Sequence, residues 1–149
     1  MKKILVILLA SVFLFACNQN SHQQDLHEHE GNENVQNTEL TLNNGVKRKA
    51  DSITNHNVVN LKTMVDNFRI KPFPSLNEYH LLSADLNNGL NKMVQQCKMT
   101  GPDHEALHHW LEPILQQNKN LKEASDTSNG RKIFNAIDKR IHNYHNYFE

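Results

Sequence analysis

Four residues with side chains that bind soft or borderline metal ions lie close together around one Gly-Pro turn. The stretch QQCKMTGPDHEALHHWLEP contains Cys97, Met99, His104 and His108. Thiolate, thioether and imidazole groups together suit copper(I), and a thiolate with imidazoles also suits zinc. Residues four apart on a helix share one face, so the two histidines are placed to act together. The spacing therefore predicts a copper(I) or zinc site at this turn.

Two alternatives to a metal-binding role come from the same stretch. His104-Glu105-x-x-His108 matches the helical H-E-x-x-H motif, in which two histidines bind zinc and the glutamate acts as general base. No H-x-x-G-x-x-H continuation follows, and no strand that would align a peptide is predicted, so a zinc metallopeptidase is the less favoured alternative. Cysteine and methionine also fill gaps in many cores, and the second alternative is a turn that only caps and packs.

Hydrophobic residues recur at helical spacing in four blocks after Gly45, and no useful length of strand-like alternation appears. The four apolar stripes comprise Val58, Leu61, Val65 and Phe68; Tyr79, Leu82, Leu86, Leu90, Met93 and Cys97; His104, Leu107, Leu111, Ile114 and Leu121; and Phe134, Ile137, Ile141, Tyr144 and Phe148. Amphipathic helices of similar length with short connections predict an all-α fold, an up-down-up-down antiparallel four-helix bundle.

Polar residues, glycine and proline mark the predicted helix ends. Ser52 is the predicted cap of the first helix, and the Pro-Phe-Pro sequence at 72–74 ends it. The second helix is predicted over about 75–98, and the third begins at the Gly-Pro turn. Pro113 lies inside the third pattern, where the missing N–H predicts a kink near His109.

The bundle topology brings a fifth residue to the predicted metal site. The start of the first helix, the end of the second, the start of the third and the end of the fourth all lie at one end of such a bundle. His145 follows Ile141 by four residues on the predicted fourth helix and so reaches that end. The predicted ligand set is Cys97, Met99, His104, His108 and His145.

The first residues have the layout of a bacterial lipoprotein signal. Two lysines precede an apolar run that is shorter than the ~20 residues of a membrane-spanning helix. The sequence LFAC ending at Cys17 resembles a lipobox, which predicts a signal peptide over 1–16 and a lipidated Cys17. A polar tether is predicted over 17–44 and the helical domain over 45–149. We therefore expect a protein of the bacterial cell envelope that is anchored to the membrane by lipid; an uncleaved anchor or plain secretion are the alternatives.

Charge and cysteine content limit the classes of partner. Sixteen basic and sixteen acidic side chains balance, so no electrostatic footprint for nucleic acid is present. With Cys17 lipidated, Cys97 has no second cysteine for an internal disulfide. The sequence decides neither whether Cys97 forms a disulfide between two copies of the chain nor how many copies assemble. The tether contains His22, His27 and His29, a His-rich tract that can bind metal loosely, although polar tethers often contain such residues without function.

The turn also carries a pattern that is similar to one found in a family of small proteins. The pattern is Cys-x-Met-x-Gly-x-x-His-x-x-Leu-His, formed here by Cys97, Met99, Gly101, His104, Leu107 and His108. From about residue 44 to residue 148 the chain resembles short lipoproteins and secreted proteins of Gram-negative envelopes that share this turn. The resemblance implies an all-helical envelope domain with no established activity. An envelope protein is a possible partner for a domain anchored in this way.

Overall fold

Four α-helices account for most of residues 40–149, which are the part of the chain that the structure, a computed structural model, describes. They are α1 (Ser52–Arg69), α2 (Leu76–Gln96), α3 (Gly101–Lys122) and α4 (Thr127–His142), followed by a short 3-10 helix, Tyr144–Asn146. Residues 40–149 contain isolated β-bridges and no strand, so the all-α prediction is confirmed. The predicted signal peptide, Cys17 and the tether histidines lie outside the described residues. None of the described helices is both long and apolar enough to cross a membrane.

Local side-chain bonds explain where the first two helices begin. The Asp51 carboxylate accepts a hydrogen bond from the Thr54 N–H at 2.6 Å and caps α1, so the predicted cap, Ser52, is the first helical residue instead. Ser75 and Glu78 form a reciprocal capping box at the start of α2. The Ser75 backbone N–H donates to the Glu78 carboxylate at 2.9 Å, and this bond is the main cause that lowers the pKa of Glu78 to about 2.

The helices pack in sequence order around the bundle, and α4 closes it against α1 and also contacts α2. The predicted four-helix bundle is therefore confirmed. Its core contains the predicted apolar stripes except Cys97 and His104, which are half-buried, and it also contains four residues outside those stripes: Ala106, Trp110, Ala124 and Ile133. The Trp110 indole is fully buried, donates to the Arg140 carbonyl at 3.0 Å and meets the Tyr144 ring edge-to-face with centroids 4.9 Å apart.

Three helix ends meet at one end of the bundle, as the topology predicts. The Lys98 N–H, which follows α2, donates to the Asp51 carboxylate at the start of α1 at 2.8 Å. The Tyr144 hydroxyl, which follows α4, donates to the Asn55 side chain in the first turn of α1 at 2.9 Å. These bonds fix the helix ends that flank the Gly-Pro turn.

The segment before α1 packs against the same end. The Arg48 N–H donates to the Tyr147 carbonyl at 2.7 Å, and the Glu149 N–H donates to the Arg48 carbonyl at 2.9 Å. The Arg48 guanidinium also reaches the Asp103 carboxylate at the start of α3, at 3.4 Å. Leu40 packs partly buried against the core. This segment ties the C-terminus and the start of α3 to the beginning of the domain.

Pro113 lies inside α3, and the helix continues through it. Because proline has no N–H, the carbonyl four residues earlier, that of His109, loses its helical partner. The Arg140 guanidinium donates to this carbonyl at 2.6 Å and to the Trp110 carbonyl at 2.9 Å. A side chain of α4 thus satisfies the backbone that proline leaves unpaired and joins α4 to α3.

Candidate metal-binding site

The turn between α2 and α3 places the cysteine and the first histidine at adjoining helix ends. Cys97 is the C-terminal cap of α2, with extended backbone angles, and its N–H donates to the Met93 carbonyl at 3.0 Å. Gly101 has a positive φ of 71°, which glycine adopts without steric cost, and Pro102 follows it in the first turn of α3. The chain therefore reverses within a few residues, and α3 returns alongside α2.

Three of the predicted ligands line one cleft between these helices. We call this cleft the corner cleft; its lining residues are Met93, Val94, Cys97, His104, Leu107, His108 and Leu111. Its volume is about 30 Å³, enough for an ion or a water molecule, since one water needs roughly 10–15 Å³.

The two histidines are already in contact. The Nε2 atoms of His104 and His108 lie 3.2 Å apart, and the rings are tilted by 65° with centroids 4.6 Å apart. His104 is half-buried, whereas His108 is exposed at the rim of the cleft. In a tetrahedral site with Zn–N bonds of 2.0–2.1 Å, two ligating nitrogens lie about 3.3 Å apart. The observed spacing suits two ligands of one ion, and it equally suits a hydrogen bond between two neutral imidazoles.

Cys97 is farther from the histidine pair than a formed three-ligand site requires. Within residues 40–149, the group of three His, Cys, Asp or Glu residues whose ligand atoms all lie within 4.8 Å of one another is elsewhere in the molecule. Coordination by Cys97, His104 and His108 together therefore requires side-chain rotation.

Met99 and His145 are not among the described residues that line the corner cleft. Met99 is half-buried and packs against the core. His145 is exposed and lies in the 3-10 helix after α4, since α4 ends at His142; its placement on the fourth helix was wrong. Its ring meets Tyr144 edge-on with centroids 5.2 Å apart. The role of both residues as ligands stays a prediction.

A second group of ligand-type side chains was missed by the sequence interpretation. Asp66 on α1 and Asp138 and His142 on α4 have ligand atoms within 4.8 Å of one another, and we call them the acidic cluster. His142 Nε2 lies 3.0 Å from the Asp66 carboxylate, and His142 Nδ1 lies 3.3 Å from the Asp138 carboxylate. All three side chains are half-buried. The i,i+4 spacing of Asp138 and His142 is visible in the sequence, but their proximity to Asp66 is not.

Two cations neutralise the acidic cluster. Lys62 Nζ contacts one oxygen of Asp66 at 2.6 Å, while Arg69 contacts the other at 3.4 Å and also donates through Nε to Asp138 at 3.1 Å. The Lys62 hydrogen bond is the main cause that lowers the pKa of Asp66, and the Asp138 hydrogen bond raises the pKa of Arg69. A metal ion would have to displace these side chains. The arrangement has the chemistry of an ion-pair network that joins α1 to α4.

Comparison of the chain with protein-family models, with curated proteins and with solved structures found no match. The resemblance to small envelope lipoproteins therefore stays a prediction.

Proposed function

We propose that this protein is a lipid-anchored component of the bacterial cell envelope whose helical domain binds copper(I) or zinc in the corner cleft. Binding, buffering or delivery of the metal is its role, and it is not an enzyme. The observation that supports this most is the cleft that Cys97 shares with His104 and His108, whose Nε2 atoms are at chelating distance.

The chemistry of the cleft favours metal binding over simple packing. Neither Lys nor Arg is among the described residues that line it, so no internal cation competes for the histidine nitrogens or for the Cys97 thiolate. The His104 and His108 rings present their Nε2 atoms to each other and not to a carboxylate or a carbonyl. Lone pairs that are not already used by a strong donor are available to an ion.

Metal content tests this proposal directly. The protein is purified without a histidine tag, with His22, His27 and His29 replaced by alanine so that the tether cannot bind metal. We expect about one copper(I) or zinc per chain and a loss of it in Cys97→Ser and His104→Ala. His109→Ala is the matched control, because His109 is adjacent in sequence and is not a lining residue of the cleft. Equal metal content in all three variants would show that Cys97 and His104 are packing residues.

The membrane anchor has its own test. Cys17 is the predicted attachment point for lipid. Cys17→Ser should therefore move the protein from the membrane fraction to the soluble fraction. Unchanged fractionation would contradict the anchor and would leave the metal site unaffected.

A non-catalytic interaction module of the envelope is the second candidate function. Ile70 and Phe73, in the turn between α1 and α2, are 81% and 90% exposed. Large apolar side chains at such exposure suit contact with another protein. A preparation that contains no metal, binds none on titration and keeps its helical circular dichroism would favour this function.

The zinc metallopeptidase is the third candidate and has the least support. Within residues 40–149, no third His, Cys, Asp or Glu places a ligand atom within 4.8 Å of those of both His104 and His108, whereas catalytic zinc takes three protein ligands. We expect no metal-dependent peptide cleavage by the unmodified protein. Reproducible cleavage that is lost in Glu105→Gln while the metal is retained would overturn this order.

A further inference from the structure

The second helix contributes a pair of sulfur residues that mirrors the histidine pair of the third. Met93 near the end of α2 and Cys97, the residue that caps this helix, are four positions apart, as are His104 and His108 in α3. All four side chains line the corner cleft, with the sulfur pair on one wall and the imidazole pair on the other. The cleft thus gathers a thioether, a thiol and two imidazoles from two facing helices.

Met93 differs from Met99 in its position. The Met93 side chain is 1% exposed and lines the cleft, whereas Met99 is half-buried and is not one of the lining residues. A thioether has no proton to donate, so it can be buried without an unsatisfied donor and still offer a soft lone pair. On the basis of the proposed metal site, we infer that Met93, in place of Met99, is the fourth ligand and that the corner cleft prefers copper(I) to zinc.

Charge supports the preference for a monovalent ion. None of the described residues that line the cleft is Asp or Glu, so the Cys97 thiolate is the one anion that the lining supplies. When the thiol binds copper(I), it releases its proton to solvent and the thiolate cancels the charge of the ion. Zinc(II) with the same ligands keeps one positive charge beside the buried apolar side chain of Leu107, which is unfavourable without a counter-ion.

The softness of the sulfur ligands also favours copper(I) over zinc. Thiolate and thioether ligands select copper(I), while zinc is bound by thiolate, imidazole and carboxylate. Removal of the thioether should therefore weaken copper(I) binding much more than zinc binding. A loss of affinity for copper(I) alone would identify Met93 as a ligand, because a packing defect would weaken the binding of both metals alike.

The experiment compares Met93→Leu with Met99→Leu. Exchange of methionine for leucine conserves volume and is tolerated in cores. All samples carry Cys17→Ser, so that Cys97 is the single thiol, and alanine at the three tether histidines. Anaerobic competition titrations measure the affinity for copper(I), and parallel titrations measure the affinity for zinc(II). We expect Met93→Leu to lose at least about tenfold in copper(I) affinity, as ligand-shell changes commonly do, with zinc affinity unchanged and with Met99→Leu unchanged for both metals.

X-ray absorption at the copper edge provides a second measurement. The unmodified site should show two sulfur and two nitrogen neighbours, and Met93→Leu should show one sulfur. Equal copper(I) affinity and equal sulfur number in Met93→Leu, or a parallel loss for both metals, would overturn the role of Met93 and leave the proposed function standing. If the unmodified protein binds neither metal while its circular dichroism stays helical, the proposed function itself fails.

Discussion

In the acidic cluster, the ligand atoms of Asp66, Asp138 and His142 lie within 4.8 Å of one another, whereas in the corner cleft Cys97 lies farther from the histidine pair. Distance alone would rank the acidic cluster first. Its carboxylates, however, already contact Lys62 and Arg69, while none of the described residues lining the cleft is a cation. Lone pairs that a charged donor already uses are poor ligands, so availability is a better guide to a metal site than proximity.

The two regions also differ in the sequence separation between the residues that form them. The corner cleft is built from residues 93–111, on two helices joined by one turn. The acidic cluster joins α1 to α4 and brings together residues 76 positions apart. The cleft is suited to a local function at one end of the bundle, and the cluster to holding two distant helices together.

The largest expected difference between the corner cleft and the acidic cluster is in how much a bound metal ion stabilises the folded protein. A ligand at about 100 times its Kd stabilises the folded protein by about 2.7 kcal/mol. Copper(I) at that excess should raise the unfolding temperature of the unmodified protein. It should also raise that of a double variant in which Asp66→Asn is combined with Asp138→Asn. The variant His104→Ala with His108→Ala should show no such shift. A shift that disappears in the acidic-cluster variant and persists in the histidine variant would reverse the roles of the two regions.

The pH dependence of metal binding is the next largest effect. Protons compete with the ion for the ligand atoms of the corner cleft, so the affinity for metal should fall as the pH is lowered. Titrations from about pH 8 to about pH 5 measure the slope. An affinity that does not change over this range would mean that the imidazoles are not ligands.

Asp138→Asn should lower the stability of the metal-free protein. The Asp138 carboxylate accepts hydrogen bonds from two nitrogens of Arg69, but the arginine side chain is 47% exposed, so solvent screening limits the expected loss to about 1 kcal/mol. Urea unfolding followed by circular dichroism measures it. Asp85→Asn, on an exposed face of α2, is the control and should change little. Equal stability of both variants would show that the acidic cluster contributes nothing to holding α1 against α4.

The smallest effect concerns acid stability. The pKa of Asp66 is lowered in the folded protein, chiefly by the hydrogen bond from Lys62, so its stabilising contribution is present above the ordinary aspartate pKa of 3.8 and is lost as the pH falls below it. The difference in unfolding midpoint between the unmodified protein and Asp66→Asn should therefore shrink from about pH 6 to about pH 3. A difference that grows towards acid would contradict the sign of the shift.

The helices themselves were predictable because their signals are local. Val58, Leu61, Val65 and Phe68 are all buried at the predicted spacing, and the Gly-Pro turn begins α3 as expected. The cap of α1 was misplaced by one residue, because Asp51 and Ser52 are both good caps and only the bond from Thr54 to Asp51 distinguishes them. The apolar period continues past α4 through the 3-10 helix, which is why His145 was assigned to the wrong element.

By itself, the sequence determined four amphipathic helices and their order. It also determined that only one short turn separates Cys97 from His104 and His108, with which it shares a cleft. Each of these features depends on residues close in the chain. The tertiary structure alone decided that Met93 lines the cleft and Met99 does not, and that Arg140 satisfies the carbonyl left unpaired by Pro113. These contacts depend on how each helix is rotated about its axis and which helix lies beside it. Packing of the whole core sets that rotation, and no local pattern records it.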